Sequence, residues 1–483
     1  MSTDPATPAR LAEARRLDRE GQHGRAVLAY KLVLRADPGC LEAQVDLAGL
    51  LLVLGRYEES LALSREALEA RPGLPAALQN LIGALLGLEQ YAEAEAHCRD
   101  LLRRVPDAPA AHLGLGLGLA SRDLHLEAEP HFARVLALDP GNRRARLALW
   151  TSRMKARAWD RALATWLEIA ERDMTGAEAV FERGLARLTC GDLREGFRDY
   201  EARWADPPQV GPVLDLKAPR WDGTPFPGRT LLLHYEQGFG DTLMALRYAG
   251  RVKALGGAVA VQVQPQLLPV VRSCAGVDQW LVPGDPLPPH DLHLPLMSLP
   301  HVFGGEIPAE IPYLRAPAAP SEAEARVAGE GLRVGLVWAG STGHRLDALR
   351  TLPPEALAPL FRLPGIAWHS LQVGWEGGLP DPALRDLAPW LKDFGDTARV
   401  IERLDLVLAV DTAVAHLAGA LGKPVWLMLP LIADWRWRLE GESTPWYPAF
   451  RLFRQIRYGD WADVGRRVGE SLNHLMNIRR GTC

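Results

Sequence analysis

The sequence predicts an α superhelix of two-helix repeats, followed by an α/β region in two halves, each built on a parallel sheet. Three observations predict it. Pro38, Pro72, Pro106 and Pro140 are spaced 34 residues apart without a slip. The turn Gly238-Phe239-Gly240-Asp241 joins an apolar run to a helical stretch, as at the opening of a doubly wound sheet. The stretch Leu404 to Pro430, LDLVLAVDTAVAHLAGALGKPVWLMLP, reads as strand, turn, helix and strand.

The repeats come first along the chain. In the frame of the prolines, Leu47, Leu81, Leu115 and Leu149 recur, with small residues at Ala26, Ser60, Ala94, Ala128 and Ala162. Four residues beyond these stand Tyr30, Cys98, Phe132 and Trp166, with Ser64 breaking the set. The pattern resembles the tetratricopeptide repeat, two helices closed by a proline. A fifth repeat ends at Met174 without its proline, and Gly191 to Trp204 reads as a degenerate last pair. No such pair buries its apolar face alone, so neighbours stack into a superhelix with a concave groove. The groove suits a protein acceptor or partner; the alternative is an array that only dimerises the protein or props up the next domain.

Ala205 to Arg229 holds six prolines and no helical period, which marks a connector. Repeats are thus expected over 1–204, a linker over 205–229, and α/β halves over 230–318 and 332–483. The first half opens with a strand at Thr230 to Tyr235, the glycine turn, and a helix from Thr242 to Leu255. Leu243 stands where a dinucleotide fingerprint needs its third glycine, so this is not an NAD site. Asp241 reads equally as a helix cap or a general base. Strands are expected at Ala258 to Val263 and Trp280 to Val282, and His290, His293 and His301 as loop and surface residues without metal-ligand spacing.

The second half starts beyond the Ala/Pro/Glu-rich segment from Pro312 to Gly331, with strands at Arg333 to Trp338, Ile366 to Val373, Leu404 to Val410 and Val425 to Leu429. The run from Leu404 is continuously apolar apart from Asp405, as in a strand covered on both faces. Asp411 and Thr412 offer caps for a helix over Ala413 to Leu421, which Gly422, Lys423 and Pro424 stop. A helix starting at the carboxyl end of a parallel strand is an anion site, and Thr412 and His416, four apart, share its opening. Ser341, Thr342, Arg345, Arg350 and Lys423 are candidates to hold phosphate. Trp435, Trp437 and Trp446 follow the last strand with Arg436 and Arg438, either as stacking platforms or as core.

Composition excludes several classes. The apolar share of 48% and charged share of 24% are ordinary for a soluble protein. A net charge of −4 gives no basic footprint, so nucleic acid is not expected. Cys40, Cys98, Cys190, Cys274 and Cys483 show no C-x-x-C spacing, which points to a reducing compartment rather than disulfides or zinc. The start MSTDPATPARLAEARR lacks the apolar core of a secretory signal. Asp411, His416 and Lys423 interrupt the longest apolar segment, so no membrane span is expected either. The expected location is cytoplasmic.

HYEQGFGDTLMALRY, VGLVWAGSTGH, LDLVLAVDTAVAHLAGALGKPVW and DWRWRLEGESTPWYPAFRLFRQ resemble bacterial proteins that join tetratricopeptide repeats to a glycosyltransferase domain. That domain is similar to the heptosyltransferase-like (family 9) enzymes of the GT-B fold and, more distantly, to repeat-bearing O-GlcNAc transferases. The resemblance covers nearly the whole chain. It implies two Rossmann-like halves, a nucleotide-sugar donor bound mainly by the second, and an acceptor bound by the first half and the repeats, flagellin or another surface protein being what it suggests. It implies catalytic roles for Asp241 and His416, and donor binding by Gly238, Gly240, Ser341, Arg350, Thr412, Ala413 and Lys423. Asp411, repelled by phosphate, is expected to cap its helix or orient neighbouring amides, a structural rather than catalytic role. Ala413 stands where the heptosyltransferase pattern has glycine, and its side chain narrows phosphate access, which argues against heptose. Thr351 keeps the hydroxyl of the family's Arg-Ser pair. No D-x-D triplet occurs, so neither metal nor cofactor is expected. The competing reading is a non-catalytic scaffold with an inactive domain.

Overall fold

The computed structural model describes residues 6–172, 174, 176–205, 216–340 and 347–480. They form two compact units, one ending at Ile169 and the other beginning at Ala170.

The first unit is a run of helix pairs. Thr7–Arg19 pairs with His23–Ala36, Leu41–Val53 with Tyr57–Ala70, Pro75–Gly87 with Tyr91–Arg104, Pro109–Ala120 with His125–Leu138, and Arg143–Lys155 with Trp159–Arg172, which extends past Ile169. The period has a local cause. Asp37, Arg71, Val105 and Asp139, each just before a repeat proline, end their helices with ψ between 86 and 89°, because a proline disfavours helical backbone in the residue before it. The recurring small residues Ala26, Ser60, Ala94, Ala128 and Ala162 are completely buried, and the four recurring leucines are buried. Tyr30, Cys98 and Phe132 fill the core, whereas Trp166 is half-buried with its ring 5.8 Å from Trp150. Ser64 is buried with no partner for its hydroxyl. Glycine within the helix Pro109–Ala120 permits close packing: a Cβ at Gly116 would stand 2.5 Å from the Phe132 ring.

The second unit begins with helices Gly176–Cys190 and Leu193–Tyr200 and a 3-10 turn, Glu201–Trp204. The degenerate last pair is thus folded into this unit, with Phe197 in its core. Strands β1 (Thr230–His234), β2 (Ala258–Gln262), β3 (Gln279–Leu281) and β4 (Leu292–Pro295) form one parallel sheet in the order β3-β2-β1-β4. Strands β5 (Leu332–Val337), β6 (Ile366–Ser370), β7 (Arg385–Asp386), β8 (Leu406–Ala409), β9 (Val425–Leu429) and β10 (Phe450–Arg454) form a second, also parallel, in the order β10-β9-β8-β5-β6-β7. The apolar run in β8 serves two cores. Val407 and Ala409 face the large cluster shared with the first sheet, and Leu406 and Leu408 face the other, under the helix Trp461–Arg480. This alternation of two apolar faces is what a strand covered on both sides requires.

Three expectations change. The single helix expected over 242–255 starts earlier, at Phe239, and is broken into Phe239–Ala245, a 3-10 turn Leu246–Tyr248 and Ala249–Ala254. Its start moves because Gly238 is the cap residue and the Asp241 carboxylate, at the third helical position, accepts the Gly238 N–H at 3.0 Å. His293 is not in a loop: it lies in β4, half-buried, with Nδ1 3.2 Å from His234 Nε2. Part of the proline-rich connector is packed rather than loose, since Trp221 and Phe226 are buried in the large core. Among the described residues no helix is long and apolar enough to cross a membrane.

Within each repeat the two helices are joined through a left-handed residue: Gly21, Gly55, Glu89, Asp123 and Arg157 all have φ between 57 and 73°. Glycine holds that backbone freely in the first two repeats, whereas a Cβ opposes it by roughly 1–2 kcal/mol in the other three. Glu89→Gly is therefore expected to stabilise the protein by about 0.5–1 kcal/mol after the added freedom of the unfolded chain is subtracted. A urea midpoint unchanged or lowered would contradict this.

Candidate functional site

Both sheets reverse strand order next to a chain segment that the sequence singled out. The first does so between β1 and β4, and the segment leaving β1 is Tyr235 to Gly240. The second does so between β5 and β8, and β8 leads through Asp411 and Thr412 into the helix Ala413–Ala420. In open parallel sheets the carboxyl ends of strands at such a reversal form the binding crevice.

The two segments meet. A Cβ on Gly240 would fall 2.7 Å from His416 Cδ2, so the missing side chain at Gly240 makes room for the imidazole. Asp241 is ion-paired through Oδ1 with Arg436 Nη2, while its Oδ2 accepts the Gly238 N–H. Arg436 lies in the 3-10 turn Trp435–Trp437 after β9, beneath the cap of Asp434, whose Oδ1 accepts the Arg436 N–H at 3.0 Å and pairs with Nη1 at 2.8 Å. The guanidinium sits 4.2 Å from the Trp435 ring centroid. Its Nε has no partner, and neither has the buried Oγ1 of Thr412.

The glycine turn is anchored from below. Glu236 and Arg203 form a fully buried pair, with Nε to Oε2 at 2.9 Å and Nη2 to Oε1 at 2.8 Å, and the Met297 N–H donates to the same carboxylate at 3.1 Å. Tyr200, from the same helical segment as Arg203, lies beside Gln237, whose Nε2 donates to the phenol oxygen at 2.8 Å. The residues read as the last repeat therefore support the turn after β1.

Burial governs the electrostatics. Burial pushes the Asp241 carboxyl up, against the pull of Arg436. The Asp411 carboxyl is pushed up to about 6, chiefly by burial and then by repulsion from Asp434. The His416 imidazole is held well below its ordinary value by burial and by Arg436 and Arg247, so it is neutral. Its Nδ1 is 2.9 Å from the Tyr447 hydroxyl and its Nε2 is 3.9 Å from Asp411 Oδ1. A neutral ring gives a developing anion a hydrogen bond but no charge.

Several site expectations are corrected. Lys423 is at the far end of its helix, where Nζ donates to the carbonyls of Glu402 at 2.7 Å and Leu404 at 3.2 Å. It holds the entry to β8 and cannot reach the carboxyl edge. Asp411 does not cap the helix: Thr412 is the cap residue, without a side-chain capping bond, and the Asp411 carboxylate turns toward His416. Gly240 makes room for the His416 ring. Trp435, Trp437 and Trp446 are buried core residues. Arg350 does reach the region, its Nη1 donating to the Asp411 carbonyl at 3.0 Å. Gly238, Thr412 and Ala413 stand at the two helix starts. Ser341, Thr342 and Arg345 lie outside the described residues. Asp434, Tyr447, Arg247 and the ion pairing of Arg436 are not among the residues the sequence points to; the acid-aromatic-basic-aromatic run Asp434 to Trp437 is the available signal.

In the first unit a cavity of about 630 Å³ lies among the repeats, bordered by Arg15, Asp18, Arg19, Tyr30, Asp46 and Asn80, among others. Its rim carries both signs of charge, with Arg15 paired to Asp46 at 2.6 Å and to Glu42 at 2.9 Å.

Asp411 gives the site a pH signature. A carboxyl raised from 3.8 to about 6 contributes to stability while both forms hold the proton, and progressively less as the unfolded chain loses a proton that the folded form keeps. That contribution is complete below 3.8 and is lost as pH rises through about 6. His416 acts oppositely below its ordinary value, so the comparison must be with a variant. The melting temperature of Asp411→Asn relative to the natural protein is expected to climb as pH rises from 3.8 to about 6 and then to level off. A gap independent of pH would show that Asp411 ionises normally.

Comparison with known proteins bears on the first unit most directly. A tetratricopeptide-repeat family model matches residues 11–75 and 82–143. Protein FlbA of Caulobacter vibrioides (strain ATCC 19089 / CIP 103742 / CB 15) is 27% identical over 335 residues, covering 60% of this chain and 54% of its own length. The chain thus spans about half the length of that curated relative. Among solved structures, PilF of Pseudomonas aeruginosa is 18% identical, with a TM-score of 0.36, over 42% of this chain and 94% of its own. The tetratricopeptide-repeat protein TTC0263 of Thermus thermophilus is 22% identical, with a TM-score of 0.31, over 38% of this chain and 100% of its own. The N-terminal region of the chain is an array of tetratricopeptide repeats.

Proposed function

We propose that the chain is a glycosyltransferase of the GT-B type that moves a sugar from a nucleotide-activated donor to an acceptor protein held by the repeats. One observation carries the reading: two parallel sheets reverse strand order, and the segment leaving one reversal point, with Gly240 against His416 and Asp241 paired to Arg436, packs against the helix Ala413–Ala420 that starts at the other. The first feature supplies a base. The second supplies an anion site, since the opening N–H groups and dipole of the helix Ala413–Ala420 favour phosphate. The unpartnered Oγ1 of Thr412 and the Arg350 guanidinium beside the Asp411 carbonyl add donors there. The resemblance of the long motifs to family 9 transferases points the same way.

In this mechanism Asp241 takes the proton of the acceptor hydroxyl, the hydroxyl oxygen bonds to the anomeric carbon, and the bond from that carbon to phosphate breaks with its electrons on the leaving nucleotide. Helix donors and guanidinium groups stabilise that leaving charge. The repeats, with their cavity of mixed charge, suit a peptide segment of the acceptor, flagellin or another surface protein by the same resemblance.

The scaffold reading has its own support: both Asp241 oxygens are already engaged, by Arg436 and by the Gly238 N–H. Direct measurement separates the two. The purified protein screened against UDP, GDP, ADP and CMP sugars is expected to bind one class and release free nucleotide in the presence of acceptor. Asp241→Asn should then lower turnover by about 10²–10⁴-fold, and undiminished turnover would remove Asp241 as the base. Thr412→Ala should weaken nucleotide binding by roughly five- to tenfold, the worth of one hydrogen bond. Unchanged affinity would place Thr412 outside the donor site.

A further inference from the structure

Arg436 is a buried cation with more anionic neighbours than it can neutralise. Nη2 pairs with Asp241 and Nη1 with Asp434, Asp411 is close enough to sense its charge, and Nε has no partner. Of the other cations around the site, Arg350 donates to the Asp411 carbonyl at 3.0 Å, and Lys423 and Arg247 are committed elsewhere. Lys423 holds carbonyls at the opposite end of its helix. Arg247 donates to the Trp446 carbonyl at 2.8 Å and to Met244 at 3.1 Å, with its guanidinium 4.8 Å from the Tyr447 ring centroid.

We propose that Arg436 is the residue that binds the diphosphate of the donor, and that Asp241 occupies its place in the empty protein, so that donor binding exchanges one anion for another and frees Asp241. The proposal rests on the nucleotide-sugar reading. A guanidinium offers its paired N–H groups equally well to a carboxylate or a phosphate, so a diphosphate competes with Asp241 for the same face. The exchange leaves Arg436 in place, because Asp434 holds it independently through Nη1 and through its backbone N–H. It leaves Asp241 in place as well, because the Gly238 N–H keeps Oδ2. Only the link between the two reversal points opens.

The exchange also orders the reaction. While Arg436 is on Asp241, the carboxylate is a poorer proton acceptor, since the guanidinium favours its charged form. Once phosphate has taken the guanidinium, burial and Asp434 act on Asp241 with only backbone N–H groups opposing them, and its affinity for a proton rises. The base is thus strengthened only when a donor is present. In the transfer, the acceptor proton goes to Asp241, the glycosidic bond forms, and the bond to phosphate breaks with its electron pair on the nucleoside diphosphate, whose charge Arg436 then carries.

The test is calorimetric, on the full chain, with UDP, GDP, ADP and inorganic pyrophosphate as probes. Asp241→Asn keeps the Asp434 partner of Arg436 and removes only the competing charge. It is expected to bind the recognised diphosphate roughly tenfold more tightly than the natural protein, since a state that must first break an internal pair binds more weakly by that fraction. A merely structural role for the pair would leave affinity unchanged or lower it. Arg436→Lys should weaken binding at least tenfold and Arg436→Gln should abolish it, with circular dichroism and the urea midpoint verifying that each variant is folded. If the natural protein binds a nucleoside diphosphate and Asp241→Asn binds it no more tightly, the exchange is overturned while the donor reading stands. If none of the four probes binds the natural protein or Asp241→Asn, the exchange is overturned, and the donor reading falls with it when the CMP-sugar arm of the screen is also negative.

Discussion

The candidate site depends on the close approach of two short helices, Phe239–Ala245 and Ala413–Ala420, each starting at a point where a parallel sheet reverses its strand order. Gly240 permits that approach, because any side chain there would collide with the His416 ring. Gly419, one turn along the second helix, makes room for the Tyr447 ring, which a Cβ there would strike. His416 is clasped between these contacts and its Tyr447 partner, so it acts first as a spacer between helices.

That approach creates an electrostatic problem, which Arg436 addresses. Bringing the helix starts together partly buries Asp241 and Asp411, with the exposed Asp434 beside them, and burial raises the carboxyls of Asp241 and Asp411. One guanidinium threads among them, over the Trp435 ring. A buried charge is tolerated only when paired and hydrogen-bonded, and here the pairing crosses from one sheet's loop to the other's. A second buried pair, Arg203 with Glu236, fixes the glycine turn from the side of the preceding helices.

Sequence alone determined the elements whose causes are local. The 34-residue period follows from the proline at the end of each pair, the small residues at the helix contacts and the turn between helices, all of which act within a few residues. The strands β1, β2, β5, β8 and β9 were legible because a strand covered on both faces must be continuously apolar. The helix start after β8 was legible for the same reason, being bounded by a run of apolar residues and by Gly422 and Pro424.

Tertiary structure decided what depends on residues far apart in the chain. Asp241 and Arg436 are separated by 195 positions, and no periodicity relates them. Lys423 and Arg350 are both cations near the same motif, yet one is held at the amino edge of β8 and the other reaches its carboxyl edge. Asp411 was assigned to a cap by its place in the sequence, and burial beside Asp434 gave it a raised carboxyl instead. Local order is written in neighbouring residues, whereas the state of a charge depends on everything that packs around it.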